Sequence, residues 1–266
     1  MWDRIAVVWG TTWDIHPTLL VAIGGLAAIY AAGVANRRRV GYRLSRRQGA
    51  TFAAGIVALV LTLQSPLHHL ADTDLFSAHM AQHMLLTYLC PPLLLAGTPG
   101  WLVRPVLRAR WISRLGHSSF YPVAVFLAFH IPFTYAHLPV IYNALFGSDL
   151  LHRLTHIVFL VTAVITWLPF LSPVPEILPR LSHPAQMLYA FVQTLPGGVI
   201  GALLTLADRV LYQHYGERPE LYGLSPVADQ QLGGLLMWVV GGTFWLLLLT
   251  VIFFLWADRE ERHAYG

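Results

Sequence analysis

Leu75 to Ala96 reads LFSAHMAQHMLLTYLCPPLLLA. These 22 residues contain no Asp, Glu, Arg or Lys. A helix needs about 20 mostly apolar residues to cross roughly 30 Å of hydrocarbon, so the stretch is long enough to span a bilayer. Six further apolar segments have the same character: about Pro17 to Ala35, Gly49 to Leu67, Phe120 to His137, Asp149 to Leu171, Ala185 to Leu206 and Leu232 to Trp256. The composition agrees, with 11% charged residues, 56% hydrophobic residues and a mean hydropathy of +0.57. Soluble domains carry about 25% charged residues. The expected fold is an all-α integral membrane protein, one bundle of seven transmembrane helices covering residues 1–266 as a single domain. Cys90-Pro91-Pro92 is expected to kink the third segment, and Pro196-Gly197-Gly198 to break the sixth.

All 17 basic residues are arginine, so the chain lacks the lysine that a retinal Schiff base requires. Cytoplasmic loops of membrane proteins are enriched in basic residues. With the N-terminus outside, the inner loops and C-terminal tail hold 6, 4, 1 and 2 arginines; the outer side holds Arg4, Arg153, Arg209 and Arg218. The orientation read from these is N-terminus outside and C-terminus cytoplasmic. The net charge of +4 therefore speaks to topology and not to nucleic acid. Trp2, Trp9, Trp13, Trp101, Trp111 and Trp256 fall near the proposed interfaces, where amphipathic rings collect. The N-terminus lacks the features of a cleavable signal peptide, so the first span is expected to serve as an anchor. The single cysteine, Cys90, rules out an intrachain disulfide.

Histidine played no part in that topology, yet ten of the thirteen fall on its outer side. His68 and His69 end the second segment, and His16 and His214 lie in outer loops or at the interface. His79 and His83 are four residues apart, as are His152 and His156; His130 and His137 are seven apart. Each spacing puts both rings on one helical face. Ionisable side chains inside a membrane face the bundle interior or a wet cavity. Three helices can thus aim two imidazoles each into one outward-facing cavity, with His79, His137 and His152 near its mouth and His83, His130 and His156 deeper. Intramembrane histidines can also simply bond a neighbouring helix, and His16 and His214 read most simply as headgroup-level residues.

Neutral imidazole suits copper, zinc, iron and nickel, and thioethers favour Cu(I). Met80 and Met84 flank the third-segment histidines, and Met237 lies in the outer part of the seventh segment, although methionine is also ordinary core filler. Asp72, Asp74, Asp149 and Asp229 lie at outer span ends; Asp74 and Asp149 are well placed to cap helices. Asp229 is a candidate ligand or a partner that orients an imidazole. On these residues alone, a metal-handling protein, a haem protein of membrane electron transfer and a metal or proton transporter all remain open. The inner halves of the segments offer mainly Cys90, Gln186 and Gln193, too few polar groups for a continuous pathway.

Ser65-Pro66-Leu67, the run Phe76 to Leu86 with Pro91-Pro92, His137-Leu138-Pro139 with Tyr142, the pair His152 and His156, and Asp229-Gln230-Gln231-Leu232-Gly233-Gly234 with Met237-Trp238 together resemble the CtaG family. These are polytopic cytochrome c oxidase assembly factors, distinct from the single-span copper chaperones that share the name. Thr155 stands where that family often has glutamate, which removes an acidic partner for His156. The resemblance implies a non-enzymatic assembly factor in a bacterial cytoplasmic membrane that takes up copper on the extracytoplasmic side. The expected ligands are His79, His83, His130, His137, His152 and His156, with His69, Asp229, Met80 and Met84 as possible additions. Copper would pass to an oxidase subunit or be exchanged with an extracytoplasmic copper chaperone. Zinc and haem fit less well, and self-association into a homo-oligomer is compatible with the sequence.

Overall fold

The structure, a computed structural model, describes Trp13, residues 15–216 and residues 222–265; of Asp149, Ala264 and Tyr265 it describes the backbone alone. Trp2, Trp9, Arg4 and Arg218, used above for interfaces and orientation, lie outside the described residues. Among the described residues the elements are helices and connecting turns: α1 (Pro17–Arg38), α2 (Arg46–Gln64), α3 (Pro66–Asp74), α4 (Phe76–Gly97), α5 (Gly100–Leu107), α6 (Arg110–Gly116), α7 (Tyr121–Ala136), α8 (Pro139–Phe146), α9 (Asp149–Leu171), α10 (His183–Thr205), α11 (Gln213–Gly216) and α12, which joins Pro226–Leu235, Leu236–Val240 and Gly241–Tyr265.

Four stretches are long and apolar enough to cross a membrane unaided: α1, Leu150–Leu171 in α9, α10, and Pro226–His263 in α12. Three bent pairs have the same capacity when each is taken together, α2 with α3 (43°), α4 with α5 (98°) and α6 with α7 (104°). The described residues therefore offer four to seven candidate spans. Large apolar side chains face outward, among them Val140, Leu203 and Phe254, whereas Gln82, Ser172 and His156 are fully buried. That inversion is what hydrocarbon surroundings demand.

The proline-bearing stretches of the third and sixth segments both lie within continuous helices. α4 runs through Cys90-Pro91-Pro92 and turns only after Gly97. A π-helical turn at Leu85–Leu89 precedes the prolines. Pro91 has no N–H to give the carbonyl of Thr87 four residues back. The indole N–H of Trp167 in α9 donates to that carbonyl at 2.8 Å instead. Neighbouring helices commonly satisfy groups freed by proline in this way. α10 likewise continues through Pro196-Gly197-Gly198. Its small residues serve close packing: a Cβ at Gly201 would stand 2.6 Å from the carbonyl oxygen of Gly234 in α12, so the two backbones touch.

Packing falls into three regions. Leu59, Leu63, Leu86, Cys90 and Leu94 join α2 to α4. Trp167, Phe170, Tyr189 and Trp245 join α9, α10 and α12. Phe76, Met80, Tyr142, Tyr212, Tyr215 and Met237 form an aromatic roof over the first turns of α4. The histidines lie between these regions.

Candidate metal centre

α4 and α9 each carry an imidazole pair, and the pairs face each other. Ring centroids are 4.3 Å apart for His79 and His83, and 4.7 Å for His152 and His156. Between the helices, His79 lies 5.5 Å from His152, and His83 lies 5.4 Å from His156. The result is two tiers one helical turn apart. All four side chains are buried.

α3 adds groups that spacing did not single out. Asp72 Oδ1 lies 2.7 Å from His152 Nε2, close enough for an ion pair, although the angle is poor for a hydrogen bond. His68 packs edge-on against His156 at 5.9 Å, and His16 against His68 at 4.8 Å. Gln82, between the two α4 histidines, donates to His68 Nδ1 at 2.8 Å and to the Thr62 carbonyl at 2.8 Å. This arrangement puts the neutral His68 proton on Nε2, so His68 braces the cluster; its Nε2 gains a lone pair only if the amide turns over. His69 is half-buried beside it. His68 and Asp72 are themselves four residues apart on α3, a signal present in the sequence, but in a short helix that follows the break at Ser65-Pro66 and turns π-helical at Leu70–Asp74.

The histidines of α7 and its C-terminal cap bond their own helix through Nδ1. His130 Nδ1 bonds the Phe126 carbonyl at 3.0 Å, and His137 Nδ1 bonds that of Phe133 at 2.7 Å. A carbonyl only accepts, so each Nδ1 carries the proton and each neutral ring keeps its lone pair on Nε2. Their ring contacts are with Phe126, Phe129 and Phe133. Four of the six expected imidazoles thus pack ring against ring, while His130 shares one small cavity with His83 and His137 keeps a buried, unpartnered Nε2. Phe133 and Phe129 pack against Phe159 of α9.

Asp229 does not touch an imidazole. Its Oδ2 accepts from the N–H of Phe76 at 2.6 Å, and its Oδ1 from the N–H of Ser77 at 3.1 Å and the Ser77 hydroxyl at 2.5 Å. The first N–H groups of any helix lack partners, and Leu75, at the cap position of α4, offers no side chain for them. Asp229 therefore caps the helix that carries His79 and His83. Asp74 does not act as that cap; it accepts from Thr73 and Tyr222. The Asp149 side chain lies outside the described residues. Gln230 and Gln231 pin the loop that follows α10 through Leu211, Arg209 and Ala207.

The cluster is roofed. Phe146 in α8 packs 4.2 Å from His152 and 5.3 Å from His79, with His214 4.3 Å behind it. His214 Nε2 bonds the Asp72 carbonyl at 3.0 Å, the Tyr215 hydroxyl donates to the Ala71 carbonyl at 2.5 Å, and the Tyr212 hydroxyl donates to the His137 carbonyl at 2.8 Å. His16 and His214, expected to be headgroup-level residues, both contact the cluster or its roof. Burial pushes the Tyr212 phenol above its ordinary range, so it remains a donor.

Among the described residues, no three His, Cys, Asp or Glu side chains already stand in closed ligand geometry. The donors for one are nevertheless there. His79 Nδ1, His83 Nδ1, His137 Nε2 and both nitrogens of His156 are buried without a hydrogen-bond partner. Each such group costs about 1–3 kcal/mol if left unpaired. Two imidazole nitrogens on a tetrahedral ion lie roughly 3.3 Å apart, which rings packed this closely reach by side-chain rotation. The donor set fits a metal that favours imidazole. Cys90 packs in the α2–α4 core.

The fold and this cluster define a polytopic helical membrane protein with a buried imidazole group between two of its helices. The chain belongs to the family described as cytochrome c oxidase caa3 assembly factor (Caa3_CtaG), whose model matches residues 28–259. Its curated relatives include uncharacterized proteins of Mycobacterium bovis and Mycobacterium tuberculosis, each 27% identical over 98% of this chain, and one of Mycobacterium leprae, 26% identical over 98%. The chain spans 42% of the length of those relatives. No solved structure matches it.

Proposed function

We propose that this assembly factor receives copper from the extracytoplasmic side, holds it between α4 and α9, and passes it to a cytochrome c oxidase subunit. The bundle crosses the membrane seven times, each bent pair being one span, with the N-terminus outside and the C-terminal arginines inside. The observation that carries the reading is the set of unpartnered imidazole nitrogens on His79, His83 and His156, buried beside Asp72 and His152. Buried polar groups are normally satisfied, so a cluster of orphans on facing helices marks a place for a cation.

The role needs no bond-making at carbon or phosphorus. Copper is cargo, bound by neutral imidazoles and released as a partner's donors replace them one at a time. Two tiers suit that exchange, because the upper pair can let go while the lower pair still holds. Asp72 would offset the ion's charge and keep His152 aimed inward. His130 and His137, each with Nε2 free to coordinate, stand in reserve on α7. Metal or proton transport is less well supported, since Trp167, Phe170 and Trp245 pack the bundle on the inner side of the cluster. Haem is less well supported because the rings lie too close together to admit a macrocycle.

Cells that lack this protein are expected to accumulate cytochrome c oxidase deficient in copper. Wild-type chain should restore copper content and activity, and a His79→Ala/His83→Ala variant present at wild-type level in the membrane should not. Full restoration by that variant would refute the proposal.

A further inference from the structure

The wider clefts, of about 220 to 530 Å³, lie between apolar side chains that face the lipid and hold few donors for an ion. A much smaller cavity, about 30 Å³, lies inside the bundle between α4, α7, α10 and α12. Met80, Met84, Met237, His83 and His130 line it, with Gln193 from α10. Three of the chain's five methionines therefore surround one void.

Methionine is the side chain best able to fill an irregular gap, having three rotatable bonds. Three of them nevertheless leave a space the size of one water or one ion. Gln193 supplies an independent sign of a missing occupant. Its amide nitrogen donates to Thr166 at 2.8 Å, while its Oε1 is buried without a partner. His130 brings an imidazole whose Nδ1 is held by Phe126, leaving Nε2 to coordinate. His83 belongs both to this cavity and to the cluster of four.

We infer that this cavity is a second metal site, a Cu(I) site of thioether and imidazole donors, with His83, whose neutral ring has one lone pair, serving either this site or the imidazole cluster at a time. The inference deepens the copper reading above and rests on it for the identity of the cargo. Thioether sulfur selects Cu(I) over harder divalent ions, whereas the four-imidazole cluster does not discriminate in that way. Copper arriving as Cu(I) moves from His83 towards Met80, Met84 and Met237 by ligand exchange, with no change of oxidation state. A π-helical turn lies beside donors on both sides of the cavity, Leu85–Leu89 after Met84 and Leu236–Val240 around Met237. Such turns recur at functional sites, where they re-aim side chains.

The test uses the purified full-length chain in detergent, loaded anaerobically with Cu(I) and separately with Ag(I) as a redox-inert probe. Copper X-ray absorption should show a sulfur shell beside a nitrogen shell. In Met80→Leu/Met84→Leu/Met237→Leu the sulfur shell and one metal equivalent should disappear, while nitrogen-bound metal remains. Leucine keeps the volume, and such swaps cost under about 1.5 kcal/mol each. If the triple variant does not fold, Met84→Leu alone should lower the sulfur shell by one scatterer. A wild type without sulfur scattering, or a sulfur shell that persists in the triple variant, overturns the inference. His152→Ala/His156→Ala separates the two readings. Loss of nitrogen-bound metal with the sulfur shell kept supports both sites. No metal lost in that variant, with metal still lost on replacing the methionines, leaves the thioether site standing and refutes the imidazole cluster.

Discussion

Removing the Asp229 carboxylate tests whether it acts as a helix cap or as a ligand. In Asp229→Ala the N–H groups of Phe76 and Ser77 lose their acceptors in the interior, where Phe76 is 1% exposed and Ser77 6%. Each buried donor left unpaired costs about 1–3 kcal/mol, so the two together cost about 2–6 kcal/mol. A chain of this size loses about 2–4 °C in Tm per kcal/mol, which sets the expected fall at about 5 °C or more. Asp229→Asn keeps one acceptor oxygen and should lose about half as much. The assay is thermal unfolding in detergent with a thiol-reactive fluorophore, because the single Cys90 is buried and reacts only when the α2–α4 core opens. Below its Tm, Asp229→Asn should bind as much copper as wild type. An unchanged Tm together with lost copper would refute the capping role and make the carboxylate a ligand.

Trp167→Phe leaves the Thr87 carbonyl, already freed by Pro91, without the indole donor; a loss of about 1–3 kcal/mol is expected in the same Cys90 assay, and no change would show that the carbonyl finds another donor. Gly201→Val puts side-chain carbon where Gly234 already stands, so the protein should fail to accumulate in the membrane, and a wild-type level on immunoblots would contradict the close approach. Gln82→Leu releases His68 and leaves the Thr62 carbonyl unpaired; copper affinity should fall several-fold while stoichiometry holds, whereas lost stoichiometry would make His68 or Gln82 part of the ligand set.

The apolar segments were legible because hydrocarbon imposes one requirement, internal backbone hydrogen bonding over a fixed length, and sequence carries it directly. Prolines act on the same requirement in reverse. Pro91 reads as a kink and Pro196 as a break when each helix is considered alone; Trp167 on another helix satisfies the carbonyl that Pro91 frees, and the helix of Pro196 runs on without a break, with Gly201 in close contact with α12. The facing pairs His79–His83 and His152–His156 were legible from their four-residue spacing. His130 and His137 pack against the phenylalanines beside them, a contact that spacing alone does not announce. His68 and Asp72 were hidden because they sit on a short helix with a π turn and reach His156 and His152 on a helix some 80 residues away, and the role of Asp229 depends on two helices some 150 residues apart in sequence. The methionine-lined cavity needs four helices at once, and no local pattern announces it.

The central claim is that copper binds between α4 and α9, and metal analysis of the purified full chain tests it most directly. After copper loading and removal of free metal, copper per chain is measured for wild type, His79→Ala/His83→Ala and His152→Ala/His156→Ala. Wild type should retain copper, and either pair of substitutions should release the imidazole-bound metal even though the pairs lie on different helices. Equal copper in all three proteins, or none in the wild type, would contradict the account.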